Sequence, residues 1–139
     1  MPQHDVGLIL MRQLASGLAV PTILFDASGE LLFYNEAAAL LIGRPFEDIG
    51  AEVALGNQRN VFELRDDKGE PLAQDQLPLA VALREKRPVH RMVWYRSLEG
   101  VDRLVEITAF PLVGGGGHLI GAVAMFWERR QNGQQGAGR

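Results

Sequence analysis

Three long segments of alternating apolar residues near the end of the chain most constrain its fold. They cover residues 89–96, 101–110 and 119–127, and each is rich in β-branched or aromatic side chains, as is typical of strands. The links between them, Ser97–Gly100 and a glycine run at 114–117, are of hairpin length. Strands joined by such short links must run antiparallel. This part of the chain therefore predicts an antiparallel sheet.

Two more strands and a capped helix are predicted nearer the start of the chain. Thr22–Phe25 and Leu31–Tyr34 have strand composition, and Asp26–Gly29 supplies the turn residues of a hairpin between them. Asn35 is a good helix N-cap, the residues behind it favour a helix, and Gly43 is suited to end that helix.

Two further helices and a short strand complete the predicted elements. Residues 6–18 predict an amphipathic helix, because six apolar residues fall within an arc of about 160° on a helical wheel. These are Leu8, Leu10, Met11, Leu14, Ala15 and Leu18. Another helix is predicted from Asp75 as its cap, with Pro78 in its first turn. Within 51–74, a short strand ending at a Gly69 turn is expected.

The order of these elements predicts an α+β domain. Its centre is a five-stranded antiparallel sheet with helices on one face, preceded by the N-terminal amphipathic helix. Residues 1–17 hold that helix, residues 18–128 form the domain, and the polar, glycine-rich residues 129–139 are expected to be disordered. An antiparallel sheet can leave its second face to solvent or to a partner.

Composition excludes several classes of function. The 139 residues carry a net charge of −3 with acids and bases interspersed, which argues against a nucleic-acid partner. The chain has no cysteine, so disulfides, thiolate chemistry and cysteine-ligated metal are excluded. No apolar run approaches the roughly 20 residues that span a bilayer, and the N-terminus lacks a basic leader. We therefore expect a cytoplasmic protein with no membrane partner.

Three segments, taken in order, are similar to those of a known family. Residues 23–50 resemble an opening hairpin, an asparagine that starts the next helix, a glycine that ends it and a second glycine seven residues on; here these are Asn35, Gly43 and Gly50. Residues 75–89 resemble the long helix that leads into the third strand.

The third segment resembles the last hairpin of the same family. It covers residues 101–112 and 117–128 and includes Pro111 and Gly121. Together, the three segments resemble a PAS domain over the whole of the predicted 18–128 domain. The order and spacing of the three carry this resemblance, because each motif alone is common.

The resemblance implies a sensory or dimerisation module of a bacterial-type signalling protein. Such proteins include histidine kinases of two-component systems, cyclic-dinucleotide enzymes and transcription regulators, and the output is carried by another domain or a partner protein. The alternative is a stand-alone protein that binds a small molecule. An enzyme is not expected, because no catalytic constellation or Gly-x-Ser-x-Gly elbow is visible.

The resemblance also limits the cofactors. Flavin photosensors of this family need a reactive cysteine and coumarate photosensors attach their pigment to one, so both chemistries are excluded. Haem-binding members commonly take the iron ligand from the long helix, but residues 76–86 contain no histidine and leave His90 as a remote candidate. We expect no haem and no covalent chromophore, whereas a non-covalent flavin or another small organic ligand stays open. His4, His90 and His118 lack metal-ligand spacing, so no metal is expected.

A bound ligand is expected between the inner face of the sheet and the helices, in a mostly apolar pocket with a few polar groups. The candidate ligand-binding residues are Trp94, Arg96, Glu106, Thr108, Ala124 and Phe126. One sequence does not fix which of the two alternating sets of side chains points inward. The alternative is that most of these residues belong to the ordinary core or point outward.

A surplus of apolar residues predicts a homodimer through the N-terminal helix and the outer sheet face. The candidate dimerisation residues are Leu10, Met11, Leu14, Leu18, Met125 and Trp127. The alternative is a monomer in which the helix only covers its own sheet.

The end of the last strand holds the candidate signal-exit residue. Many PAS domains end this strand with Asp-Ile-Thr or Asp-Val-Thr, a hinge into a coiled-coil linker. The matching residues here are Glu128, Arg129 and Arg130, so the acid is retained and the threonine is not. Since no heptad pattern follows, either the sequence stops at the domain edge or the protein does not signal through a C-terminal coiled coil.

Overall fold

A computed structural model of the protein describes residues 6–48, 63–97 and 99–129. The helices are α1 (Val6–Ser16), α2 (Glu36–Ile42) and α3 (Pro78–Glu85). The strands are β1 (Thr22–Asp26), β2 (Leu31–Tyr34), β3 (Glu63–Arg65), β4 (Val89–Arg96), β5 (Asp102–Val113) and β6 (Leu119–Glu128). The predictions for Gly50 and for the tail beyond Arg129 concern residues outside these ranges.

The strands form one antiparallel sheet in the order β2-β1-β6-β5-β4-β3. The predicted number of five strands is wrong, because β3 joins the edge of the sheet beside β4 and makes six. This strand has three residues, too few to show an alternating pattern, and its connection to β4 runs through α3 rather than a hairpin. The predicted short strand is therefore real, but it belongs to the main sheet.

Two predicted helix boundaries need correction. Asp75 does not cap α3; it lies in a separate 3-10 turn, Gln74–Gln76, and Leu77 is the N-cap. Leu77 precedes Pro78, and the proline ring disfavours a helical conformation at the residue before it, so the helix starts at the proline. Helix α1 ends at Ser16 rather than at residue 18.

Both faces of the sheet are covered in part by helices. On the inner face, α2 and α3 pack over the sheet around Ala38, Ile42 and Ala82, all of which are fully buried. On the outer face, α1 packs through Leu8 onto Leu24 and Val123. The expected α+β layout, an antiparallel sheet with helices packed against it, is confirmed, and α1 lies on the outer face. None of the helices that the structure describes is long and apolar enough to cross a bilayer.

Asn35 caps α2, as predicted. Its Oδ1 atom accepts a hydrogen bond from the backbone N–H of Ala38 at 2.9 Å. At the other end, Gly43 adopts a left-handed conformation with φ of 102° and donates its N–H to the carbonyl oxygen of Ala39. Since only glycine adopts this conformation without a steric penalty, Gly43 ends the helix as expected.

Candidate functional site

The inner face of the sheet is the first candidate site. Its buried side chains on β4, β5 and β6 are Val93, Tyr95, Val105, Ile107, Ala109, Ala124 and Phe126. Strand pairing places these residues on one side, because Val93 lies opposite Val105 and Ile107 lies opposite Phe126. Among these buried side chains, only the phenol of Tyr95 is polar.

Tyr34 brings a second phenol to this face. The residue is 1% exposed, and its hydroxyl donates a hydrogen bond to the carbonyl oxygen of Arg44 at 2.7 Å. Its ring packs edge-on against Phe46, with 5.4 Å between ring centroids. Burial raises the pKa of the Tyr34 phenol, and the positive charge of Arg44 offsets this only in part.

The two phenols lie close enough to influence each other. Burial is the main cause that raises the pKa of Tyr95, and the nearby Tyr34 raises it further, whereas the positive charge of Arg103 lowers it. Both hydroxyls therefore stay neutral at physiological pH. Neutral phenols on an apolar surface can donate or accept hydrogen bonds but supply no nucleophile.

The six predicted ligand-binding residues do not share one face. Ala124 and Phe126 lie on the inner face, as expected. The other four lie on the outer face: Trp94, Arg96, Glu106 and Thr108. Side chains alternate between the two faces along a strand. Residues an odd number of positions from Val93 on β4 or from Val105 on β5 therefore point outward. The six residues therefore do not form a single pocket.

Sequence reasoning missed the inner-face residues Tyr34, Tyr95 and Arg103. A signal was available in β5, where residues 105, 107 and 109 are all apolar while the alternate positions include Glu106 and Thr108. A half-buried strand points its uniformly apolar set toward the main core. That rule applied to β5 would have selected the face that carries Tyr95.

The outer face carries polar pairs on its uncovered half. The Nδ1 atom of His90 lies 2.8 Å from the Oγ1 atom of Thr108. Arg96 donates from Nε and Nη2 to the two carboxylate oxygens of Asp102, at 2.8 and 3.1 Å. These hydrogen bonds hold the pKa of Asp102 below its ordinary value. His90, the remote candidate for a haem ligand, thus lies on the face opposite the inner core.

The outer face and α1 also form the second candidate site, an exposed apolar surface. Leu10 and Leu14 are 59% and 55% exposed on α1, and Trp127 is 42% exposed on β6. The other predicted dimerisation residues, Met11, Leu18 and Met125, are half-buried. Helix α1 thus exposes one apolar flank while it packs onto its own sheet with another.

Two ion pairs hold the end of β6, one on each face of the sheet. Both carboxylate oxygens of Glu128 accept hydrogen bonds from Nη1 of Arg103, at 3.0 and 3.1 Å. On the opposite face, Arg129 pairs with Glu106. The backbone N–H of Arg129 also donates to the carbonyl oxygen of Leu104 at 2.7 Å. The chain therefore leaves the sheet tied to β5 on both sides.

Metal ligands are not gathered in the part of the chain that the structure describes. No group of three histidine, aspartate or glutamate side chains there could hold an ion.

Comparisons with known proteins identify the fold. No protein-family model matches the sequence, and no curated protein does. The structure is similar to the PAS domain of a Colwellia psychrerythraea protein, at 16% identity and a TM-score of 0.60 over 90% of this chain and 98% of that one. It is similar to the PAS domain of nitrogen regulation protein NR(II) from Vibrio parahaemolyticus, at 14% identity and a TM-score of 0.58 over 86% and 98% of the two chains.

The LOV protein of Rhodobacter sphaeroides is similar as well. It shares 17% identity with a TM-score of 0.69 over 93% of this chain and 71% of that one. Such low identities concern the fold rather than the function. The chain has the fold of PAS domains, as the sequence motifs predict.

Proposed function

We propose that this chain is a non-catalytic sensory or protein-interaction module of a signal-transduction protein, and that it forms a homodimer. The PAS fold supports the sensory part, and the nitrogen regulation protein among its structural neighbours is consistent with a two-component system. The output is carried by another domain or a partner protein, in the cytoplasm. The exposed apolar flank of α1 is the observation that carries the homodimer.

The orientation of α1 shows which way this flank faces. The guanidinium of Arg12 lies 4.6 Å from the centroid of the Phe33 ring on β2, at one edge of the sheet. At about 100° per residue, Leu10 and Leu14 lie on the opposite side of the helix axis. They therefore lie on the flank away from β2, and Leu10, about 160° around the axis from the buried Leu8, points away from the sheet.

Two large apolar side chains, Met92 and Trp127, lie on the outer face of the sheet on either side of Glu106. Met92 on β4 lies opposite Glu106 on β5, which in turn lies opposite Trp127 on β6. Met92 and Trp127 are 43% and 42% exposed. These side chains and the exposed flank of α1 are apolar parts of the outer surface, and the polar pairs of β4 and β5 lie beside them.

The exposed flank of α1 is suited to contact with a helix from a second copy of the chain. Val6, Leu10 and Leu14 are spaced by four residues and form one ridge, the arrangement that packs against another helix. If each copy places its α1 beside the other's, the same surface is used twice, and the contact closes as a two-fold dimer.

The test compares the oligomeric state of the whole chain with that of a double variant. Sedimentation velocity at about 50 µM is expected to show a dimer for the wild type and a monomer for Leu10→Glu/Leu14→Glu, because the variant places two charges in the contact. A wild-type monomer at this concentration, or an unchanged dimer in the variant, would overturn the proposal.

The matched control is Leu40→Glu on α2. Leu40 is even more exposed, at 79%, but it lies on the inner side of the sheet. The same change in chemistry at this position is expected to leave the dimer intact. If Leu40→Glu also dissociates the dimer, the dissociation is caused by the change in net charge and not by loss of the α1 contact.

Signal exit through Glu128 belongs to the same proposal. The chain leaves the sheet at Glu128, and the Arg103 and Arg129 pairs fix its direction there. A change in the sheet that alters these pairs would reorient whatever follows β6. Glu128→Ala is therefore expected to alter coupling to the output domain while the domain stays folded.

A stand-alone ligand-binding protein is the second candidate function. Such a ligand would lie between the inner face of the sheet and α2 and α3, where the buried residues are apolar apart from the phenols of Tyr34 and Tyr95, because small-molecule sites are mostly apolar with a few polar groups. Purified chain is examined by absorption spectroscopy, denatured, and the released material identified by mass spectrometry. A stoichiometric flavin or other small molecule would favour this function over a purely interacting one.

A further inference from the structure

Methionine supplies all of the sulfur in this chain. The sequence has no cysteine and four methionines, at positions 1, 11, 92 and 125. Three of them lie in the part of the chain that the structure describes, and all three belong to the outer layer: Met11 on α1, Met92 on β4 and Met125 on β6. Peroxides convert such thioethers to sulfoxides, and dedicated reductases reverse the reaction.

Met92 differs from the other two methionines in its surroundings. Met11 and Met125 are half-buried and pack with the buried residues that join α1 to the sheet. Met92 is 43% exposed, and neither hydrophobic cluster of the described residues includes it. Oxidation of Met92 therefore removes no core packing. It changes the outer surface while the domain stays folded.

Met92 also lies on the side of α1 that faces away from β2. Leu14, 55% exposed, is on this flank of the helix, and the sheet order places β5 and β4 beyond it. We propose that the partner's α1 lies beside this flank and contacts Met92, and that oxidation of the Met92 thioether weakens the homodimer. This inference rests on the homodimer proposed above.

Hydrogen peroxide is the oxidant in this step. A lone pair of the Met92 sulfur attacks one peroxide oxygen, so that an S–O bond forms as the O–O bond breaks. The released hydroxide takes the proton of the new S–OH group and becomes water. The sulfur loses two electrons and the peroxide gains them. The product carries a polar S=O group where the thioether was apolar.

A sulfoxide at Met92 disfavours an apolar contact, because its oxygen loses water in the dimer without gaining a hydrogen-bond donor. A two-fold dimer contains this contact twice. The dissociation constant is therefore expected to rise at least about tenfold. Since the dimer exchanges with the monomer, peroxide reaches Met92 in the monomer, and oxidation then favours that form.

The first measurement is the rate at which each methionine is oxidised. The whole chain at about 50 µM is treated with hydrogen peroxide, and peptide mass spectrometry follows the addition of one oxygen to Met92 and Met125. Met92 is expected to react at least about threefold faster in Leu10→Glu/Leu14→Glu than in the wild type, because only the monomer leaves it open. Met125, which α1 covers in both proteins, is expected to react equally in the two.

The second measurement is the dissociation constant of the dimer, from sedimentation velocity over a range of concentrations. It is expected to rise after peroxide treatment and to return after incubation with the two methionine sulfoxide reductases and dithiothreitol. Met92→Gln places a polar side chain of similar length there and is expected to weaken the dimer without peroxide. Met92→Leu is the matched control, since it keeps an apolar side chain without sulfur. Its dimer is expected to survive peroxide.

The contrary results separate this inference from the homodimer itself. A wild-type dimer that keeps its affinity after complete oxidation of Met92, or a Met92→Leu dimer that peroxide weakens as much as the wild type, contradicts the role of Met92 and leaves the homodimer standing. Equal oxidation rates of Met92 in the wild type and the α1 variant would place Met92 outside the contact. An untreated wild type that is monomeric would overturn both proposals.

Discussion

The side-chain nitrogen of Asn35 donates a hydrogen bond to the carbonyl oxygen of Ala15, at 2.9 Å, and so ties α2 to the end of α1. The same Nδ2 atom lies 2.9 Å from the carbonyl oxygen of Val20. Its Oδ1 atom accepts from the backbone N–H groups of Thr22 and Ala38. One buried amide therefore joins α1, the following link, β1 and α2.

Replacing Asn35 by alanine is expected to destabilise the domain by about 3 kcal/mol. Loss of a helix N-cap costs about 1 kcal/mol, and a buried backbone group left without a partner costs about 1–3 kcal/mol. The N–H of Thr22 would be such a group, since Asn35 is 1% exposed and water does not replace it. Urea unfolding followed by circular dichroism measures the loss.

Asn35→Asp separates the capping of α2 by Asn35 from the link that Asn35 makes to α1. The aspartate keeps an acceptor for Ala38, so α2 stays capped, but it directs a charged oxygen at the carbonyl groups of Ala15 and Val20. Faster amide hydrogen exchange is expected in α1 than in α2. Equal protection of both helices in this variant would show that Asn35 does not hold α1.

Both tyrosines of the chain are expected to resist ionisation while the protein is folded. The sequence contains two tyrosines, and burial raises the pKa of each. The unfolded chain ionises near pH 10. The pKa of each phenol is higher in the folded chain than in the unfolded chain. The contribution of this difference to the free energy of unfolding is therefore present below pH 10 and is lost as the pH rises above 10.

Absorbance of phenolate at 295 nm measures this directly. Phenolate is expected to appear only together with the loss of circular dichroism, in one alkaline transition. In concentrated urea the same titration should centre near pH 10. A phenolate signal near pH 10 in folded protein would show that Tyr34 or Tyr95 is accessible to water.

Much of the fold follows from local patterns in the sequence. The β1–β2 hairpin and the three long strands are visible because alternation and turn residues act over short distances. The cap at Asn35 is equally local. The bonds from Asn35 to Ala15 and Val20 are not, because they join residues 20 and 15 positions apart in the sequence.

The candidate site was harder to predict for a physical reason. Both faces of this sheet are partly covered, so Met125 and Phe126 are both apolar although they point to opposite sides. Hydrophobicity alone does not then tell the inner face from the outer. Arg103 and Glu128 are brought together by the register of β5 against β6, which cannot be read from the sequence alone.

Glu128→Ala is expected to cost only about 0–1 kcal/mol of stability, because exposed ion pairs contribute little. Glu128 is 45% exposed in its pair with Arg103. Thermal unfolding at low and high salt measures the effect, and the small difference from wild type should shrink as salt screens the charges.

Asp102→Ala is the comparison for Glu128→Ala, since Asp102 is 48% exposed in its pair with Arg96 and lies next to Arg103 at the start of β5. The two variants are expected to lose similar, small amounts of stability. A large drop in melting temperature for Glu128→Ala alone would mark Glu128 as a structural residue, and its signalling role would lose its main support.

Gly121→Ala is expected to destabilise the domain by about 2–3 kcal/mol, because no room exists for a methyl group. A Cβ atom there would lie 2.4 Å from the carbonyl oxygen of Phe25 and 2.8 Å from Cδ2 of Leu8. Leu8 can move, but the Phe25 carbonyl belongs to the β1–β6 ladder and cannot.

Gly115→Ala is the control, since nothing lies within 4 Å of its Cβ position, and a change within about 0.5 kcal/mol is expected. Urea unfolding of both variants decides the matter: equal stabilities would show that β6 does not approach β1 and α1 this closely.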